Sequence, residues 1–284
     1  MPSIKHILFP VDFSEQCERT APVVAAWAQQ FQAKVTLLHA VALTEGISDP
    51  GLYDALQPAI QNAAEDGLAA FAQKHFAAAE VGRVVEQGGA AERIVAQARK
   101  ESASLIMMPT RGHGAFRRLL MGSVTAKVLH DARTPVWTNA HTPRARRSGK
   151  TRMILCAADQ TEPAVGLIRW AAWLAEQNGA ALKVVHVMQA VDEKSQNRGE
   201  RAVRQFWITR ASAGMAAILK RAGRPKSELV LRGGDIATML AATAREENAG
   251  LVVIGRGHIT RTLGALRTNS LAIVCKSPCP VLSV

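Results

Sequence analysis

Short apolar runs alternate with longer amphipathic stretches along this chain. Residues 4–9 form an apolar run rich in β-forming side chains, which predicts a strand. Residues 14–31 then carry Ala21, Val24, Ala25, Ala28 and Phe31 at helical spacing. Residues 34–41 predict a second strand. Residues 52–76 predict a long helix with Leu56, Ile60, Ala63, Ala64, Leu68 and Phe71 on one face. A strand over 83–86, a helix over 90–100, a buried strand over 105–108, a helix over 122–131 and a short strand over 135–138 complete the series. Strict alternation of strand and helix predicts an α/β fold whose parallel sheet is covered on both faces. Right-handed crossovers then make it doubly wound.

The same order comes round again. Ile7-Leu8-Phe9-Pro10-Val11-Asp12 is answered by Ile154-Leu155-Cys156-Ala157-Ala158-Asp159, an offset of 147, and His39 is answered by His186 at the same offset. Gly88-Gly89 and Gly233-Gly234, like Thr134-Pro135-Val136 and Cys279-Pro280-Val281, stand 145 apart. A near-constant offset means two copies of one domain of about 140 residues. The expected division is a first domain over 1–140, a linker over 141–150 and a second domain over 151–284. Each domain is expected to hold a five-stranded parallel sheet.

Composition narrows the class. Of 284 residues, 48% are hydrophobic and 20% charged, ample for packed cores and unlike a disordered chain. No apolar run approaches the ~18 residues of a membrane span, and the N-terminal stretch is too short for a signal peptide. Four cysteines cannot frame a disulfide scaffold, and Cys275 and Cys279 lack the partners of a zinc site. The expectation is a cytoplasmic protein with reduced thiols, no metal centre and no membrane. The net charge of +12 is uneven: residues 1–140 balance, the linker contributes Arg144, Arg146, Arg147 and Lys150, and the second domain supplies the rest. Residues 194–226 hold nine bases and one acid, with Val203, Phe206, Trp207, Met215 and Ile218 opposite as an expected core stripe. With one Tyr in the chain and no nucleic-acid motif, those bases read as a solvated face rather than a nucleic-acid surface.

Ligands of such a sheet bind beyond the carboxyl ends of the strands, where strand order reverses. Asp12 closes the first strand there and Pro109 follows the fourth. Downstream come Gly112-His113-Gly114 and, opening the next helix, Gly122-Ser123. Glycines admit close backbone approach, and a helix N-terminus attracts anions. By itself this pattern also fits a surface loop with a serine cap. Phosphate-loop and dinucleotide fingerprints are missing, as is a nucleophile elbow. His113 and His258 read as backbone-bonded loop residues. His39 and His186 read as satisfied strand-end residues, and Cys17 and Cys156 as small buried hydrophobes.

The run from Arg111-Gly112-His113-Gly114 to Met121-Gly122-Ser123-Val124 resembles the phosphate-loop signature of the universal stress protein family. That signature is Gly, two residues, Gly, nine residues, then Gly-Ser or Gly-Thr. Phe9-Pro10-Val11-Asp12-Phe13-Ser14 is similar to the family's opening. The resemblance covers nearly the whole chain, twice. It implies two Rossmann-like domains of the adenine nucleotide alpha hydrolase type. It further implies ATP, with Mg2+, in the first domain. Pro10 and Asp12 would stand on the adenine side, Val41 would lend backbone to adenine, and Arg111, Gly112, Gly122, Ser123 and Val124 would hold ribose and phosphates. Pro109 departs from the signature's first Gly, and a lost N–H bond there costs about 1–3 kcal/mol. In the second copy Arg267-Thr268 stand where Gly122-Ser123 stand, so nucleotide is expected in the first domain only. The function implied is a stress-response protein, a nucleotide-dependent regulator or sensor with at most slow ATP hydrolysis. The alternative is a scaffold that binds no nucleotide. The resemblance also implies pairing of the copies through residues 134–138 and 279–283, with Trp137 at the contact, and a further homodimer.

Overall fold

The computed structural model describes residues 2–41, 50–77, 81–111, 121–139, 151–189, 198–256 and 265–284, with backbone alone at 50–54, 198–200 and 265–269. The linker 141–150 and the loop 112–120 lie outside these residues. Two compact units divide the chain, one within Ser3–Asn139 and the other within Ala140–Val284.

The first unit runs β1 (His6–Pro10), α1 (Glu15–Phe31), β2 (Lys34–Val41), α2 (Pro50–Phe76), β3 (Val81–Gln87), α3 (Ala90–Lys100), β4 (Leu105–Met108), α4 (Ser123–Asp131) and β5 (Val136–Thr138). Its strands lie in the order β3-β2-β1-β4-β5, with parallel registers throughout. The second unit repeats the series: β6 (Met153–Ala157), α5 (Pro163–Asn178), β7 (Ala181–Met188), α6 (Arg198–Arg221), β8 (Glu228–Gly233), α7 (Ile236–Glu246), β9 (Leu251–Ile254), α8 (Ala265–Lys276) and β10 (Val281–Ser283). Its order is β8-β7-β6-β9-β10, again parallel. Strand ends differ from the sequence expectation by one or two residues, as frayed element ends do.

The central strands carry the core. Ile7, Leu8, Phe9, Leu105, Ile106 and Met107 are fully buried, as are Ile154, Leu155 and Cys156. A strand covered on both faces has no polar side, which is why 105–108 reads as an unbroken apolar run. Helix α1 starts because Ser14 caps it, accepting the Cys17 N–H at 3.3 Å, with Glu15 and Glu18 in the positive first turn. It stops at Gln32, which is left-handed at φ 50°. Helix α5 starts instead on Pro163 and ends on Gly179 at φ 59°. Trp137 is buried and meets Trp27 of its own unit at a ring separation of 6.3 Å.

The expected stripe on α6 is only half core. Met215 and Ile218 are buried, whereas Val203 is 56% exposed, Phe206 60% and Trp207 40%. Length explains this: a helix of 24 residues is about 36 Å long. The eight residues of β7 span only about 26 Å, so the N-terminal turns of α6 overhang the sheet. The basic run is also less free than expected. Arg221 pairs with Glu162, and Arg224 with Glu176 at 2.5 Å, tying α6 to α5.

Candidate functional site

The strand order reverses between β1 and β4, so the crevice of the first unit opens where these two strands end. Asp12 stands half-buried just past β1. Its Oδ1 accepts the Ser14 N–H at 3.0 Å and the Cys17 Sγ–H at 2.9 Å. An aspartate bonded to the N–H two residues on forms an Asx turn. Burial first, and then the Asp12 charge, push the Cys17 thiol up to about 12, so it stays protonated and donates.

Between Asp12 and Ser14, Phe13 adopts φ 57°. That left-handed conformation costs a non-glycine residue about 1–2 kcal/mol. Packing holds it: the Phe13 ring lies 4.6 Å from the His39 ring and 6.3 Å from Phe71. It also lies over Gly67, where an added Cβ would stand 3.3 Å from the ring. His39 Nδ1–H in turn donates to the Val11 carbonyl at 2.7 Å. Phe13 was not among the sequence candidates; the Asp-x-Ser spacing signals an Asx turn, but not the sign of φ.

The other wall is the base of the loop 112–120. The Gly122 N–H donates to the Thr110 carbonyl at 2.9 Å, and Thr125 Oγ1 donates to the Pro109 carbonyl at 3.0 Å. The two ends of the loop are therefore pinned together beside the end of β4. Gly122, not Ser123, is the N-cap of α4, with φ −63° and ψ 143° and no side-chain cap. The serine thus opens the helix without capping it, and both Ser123 and Val124 are exposed. Among the described residues, neither conformation nor crowding requires the glycine. Its φ suits any residue, and an added Cβ would meet its nearest neighbour, Thr110 O, at 3.5 Å, an ordinary contact.

Pro10 is buried as the last residue of β1, paired with Leu38, and its carbonyl receives the Cys17 Sγ–H at 3.7 Å. It supports the site from below. Arg111 is half-buried directly after Thr110, while Gly112, Arg117 and Arg118 lie outside the described residues. Val41 ends β2, but its carbonyl accepts the Gly88 N–H at 2.9 Å, on the β3 side. Backbone direction alternates along a strand, and Leu38 accepts Val11 N–H on the β1 side at 2.8 Å. Ala40, two residues on from Leu38, therefore turns its backbone to the crevice where Val41 does not.

The second unit keeps part of this arrangement. Asp159 Oδ1 accepts the Thr161 N–H at 3.0 Å, His186 Nδ1–H donates to the Ala158 carbonyl at 2.9 Å, and Ala158 N–H donates to Val185 O at 3.0 Å. Asp159 forms an Asx turn and does not cap α5, whose N-cap is Glu162. Gly257 and His258 lie outside the described residues. Helix α8 already includes Ala265, so Arg267 and Thr268 lie inside it, whereas Gly122 and Ser123 flank the start of α4. Among the described residues there is no group of three or more His, Cys, Asp or Glu placed to hold a metal ion, and no helix long and apolar enough to cross a membrane.

The model of the universal stress protein family matches residues 3–138 and again 150–284. A curated universal stress protein from Thermus aquaticus is 33% identical over 133 residues, which is 46% of this chain and 96% of that protein. One from Methanocaldococcus jannaschii is 29% identical over 138 residues, 46% of this chain and 79% of that protein. A crystal structure of a universal stress protein from Archaeoglobus fulgidus, 22% identical, superposes with a TM-score of 0.71 over 99% of this chain and 96% of that one. Two successive matches to the family model and a shared fold lead to one conclusion: the chain belongs to the universal stress protein family and carries the family's domain twice.

Proposed function

We propose that the first unit binds an adenine nucleotide, ATP with Mg2+, and that the protein acts as a nucleotide-dependent regulator or sensor in the stress response rather than as an enzyme. The observation that carries this reading is Gly122. It is a glycine that the described residues do not require, at an uncapped helix start, next to the point where strand order reverses. A side chain there would fill the space between the Thr110 carbonyl and the first N–H groups of α4. The Ser123, Val124 and Thr125 N–H groups and the Ser123 hydroxyl would hold phosphates, favoured by the helix dipole. Arg111 would add charge. Asp12, held by its Asx turn, would face the nucleoside, with the Ala40 backbone beside it. Bound nucleotide supplies the charge and the reactive anhydride; the chain's own contribution is seating and orientation.

In the second unit the helix start has moved past the equivalent positions, so one nucleotide per chain is expected. Calorimetry with MgATP on the intact chain tests this: one site, removed by Gly122→Arg and weakened by Ser123→Ala, is the expected result. Two equivalent sites, or no heat at millimolar MgATP, would overturn it. A scaffold role is the second reading, supported by the exposed Val203, Phe206 and Trp207 on α6. The two copies are further proposed to pair through their last strands, β5 and β10. A crystal structure with those strands apart would refute that pairing.

A further inference from the structure

The second unit holds a cavity of about 290 Å³ at the carboxyl ends of β6 and β7. Its walls include Gln160 after β6, His186, Met188 and Gln189 at the end of β7, and Trp207 and Arg210 on α6. We infer that this cavity is a binding site for a small planar aromatic carboxylate, independent of any nucleotide site in the first unit.

The two copies can be laid over one another here, because the offset of 147 holds in space as well as in sequence. Phe13 lies over Gly67 of α2, and Gln160 lies over Gly214 of α6, where an added Cβ would fall 2.5 Å from Gln160 Oε1. The histidines correspond too, each donating to the carbonyl just before its aspartate. Around this fixed frame the lining changes. Phe13 becomes Gln160, Phe71 becomes Ile218, Ile60 becomes Trp207 and Ala63 becomes Arg210. In the first unit the rings of Phe13, His39 and Phe71 pack together. In the second, a flexible amide stands in place of the Phe13 ring, its Nε2 reaching the Ala211 carbonyl at 3.4 Å beside the cavity.

The chemistry of the walls selects the ligand. Trp207 offers an aromatic face and Met188 a polarisable thioether, both suited to a flat ring. Arg210 stands three residues beyond Trp207, hence on the same face of α6, and brings a guanidinium that matches a carboxylate. No Asp or Glu is among the described lining residues. The neighbouring Asp159 has its Oδ1 engaged by the Thr161 N–H and hydroxyl. His186 keeps its proton on Nδ1 for the Ala158 carbonyl, which leaves Nε2 as an acceptor for a ring N–H or hydroxyl of the ligand. A cavity at the small end of the usual range of about 300–1,000 Å³ suits one or two fused rings. Helix α8 already includes Ala265, about 4.5 Å before the position aligned with the start of α4, so the two helices differ where α4 would seat phosphates.

Calorimetry on the intact chain with 2-naphthoate and its neutral analogue 2-naphthamide tests the inference. The expected result is binding of naphthoate, with the amide weaker by roughly tenfold or more. Trp207→Ala should abolish binding of both probes, and Arg210→Gln should erase the preference for the acid. Gln160→Phe, which puts a ring into the cavity itself, should block both. Trp207 and Arg210 are exposed, so melting temperatures of these two variants should match wild type. Saturating MgATP should leave naphthoate binding unchanged. The inference is overturned by absence of binding at millimolar naphthoate, by binding that survives Trp207→Ala or Gln160→Phe, by equal affinity for acid and amide, or by displacement with MgATP.

Discussion

Replacing Gly122 with alanine separates a glycine kept for the fold from one kept for a ligand. At φ −63° and ψ 143° the backbone accepts any L-residue. The new Cβ would lie 3.5 Å from Thr110 O, 3.6 Å from Arg111 Cα and 3.9 Å from Thr125 Oγ1, all ordinary contacts. Alanine stabilises by about 0.4–1 kcal/mol through the unfolded chain. Against this, glycine is the better N-cap by about 0.5–1 kcal/mol. The two cancel to within about 1 kcal/mol, or a shift of no more than about 4 °C for a unit of this size. Nucleotide binding should respond very differently, because the methyl stands between the phosphates and the first N–H groups of α4. Losing one charge-assisted bond of about 1.5–3 kcal/mol weakens binding roughly tenfold to a hundredfold. Thermal melting and calorimetry on the same sample read both quantities. Unchanged ATP affinity in Gly122→Ala would show that Gly122 seats no phosphate. A melting temperature lower by about 10 °C or more would show that the fold needs the glycine after all.

The strain at Phe13 predicts that Phe13→Gly is more stable than Phe13→Ala by about 1 kcal/mol, since both lose the ring but only glycine is relieved at φ 57°; equal denaturation midpoints would refute the strain. Thiol reactivity should count one accessible cysteine in the native chain: Cys275 is half-exposed, while burial pushes Cys17 and Cys156 up to about 12 and Cys279 to about 11. Rapid modification of two or more thiols in native buffer would contradict that burial. Glu18 is held below the usual carboxylate range, first by the Lys74 hydrogen bond at 2.6 Å and then by His75 at 2.7 Å. Its folded-state pKa is lowered, so the stabilisation is complete above the unfolded value of about 4.3 and is lost as pH falls through the folded value. Glu18→Gln should therefore destabilise by no more than about 1 kcal/mol at neutral pH, discounting for solvent, and the difference should close in acid; a difference that persists in acid would refute it.

Most of the scaffold was legible because burial on both faces leaves an unmistakable pattern. The run 105–108 has no polar position, and β4 is buried along its whole length. The offset between copies likewise survives folding, since it counts residues and not contacts. What sequence could not give depended on direction. Val41 and Ala40 differ by one residue, yet alternate backbone groups face opposite neighbours, and only the register shows that Val41 bonds toward β3. The apolar spacing on α6 was read correctly as a stripe, but spacing does not say where the sheet ends. Val203, Phe206 and Trp207 therefore share a periodicity with Met215 and Ile218 without sharing their burial. In sequence, Ser123 fitted a helix cap after a glycine that admits close backbone approach; the dihedrals make Gly122 the cap residue itself, in an unstrained conformation.

The duplication also sorts the site residues by what they can prove. The Asx turns of Asp12 and Asp159 both accept the N–H two residues on at 3.0 Å, and the histidine bonds to Val11 and Ala158 recur as well. Yet the helix start that would seat phosphates is aligned with its glycine in the first copy only. A feature kept where the phosphate seat is lost is explained by folding alone: these bonds close the turn between strand and helix in either unit. Asp12 is therefore weak support for a nucleotide, despite its place in the family's opening. The positions that diverge carry the information. Gly122 against Arg267 concerns the anion end of the crevice, and Phe13 against Gln160 concerns the ring end. At these positions the first copy has Gly122 at the helix start and the Phe13 ring packed on His39, and the second has Arg267 inside its helix and Gln160 beside a cavity, with Arg210 supplied from α6. If the two crevices had merely decayed from a common ancestor, loss at one end would carry no gain at the other. The joint presence of Gln160, Trp207 and Arg210 around one cavity is what a changed ligand in the second crevice predicts, and the naphthoate titration decides between that and simple loss.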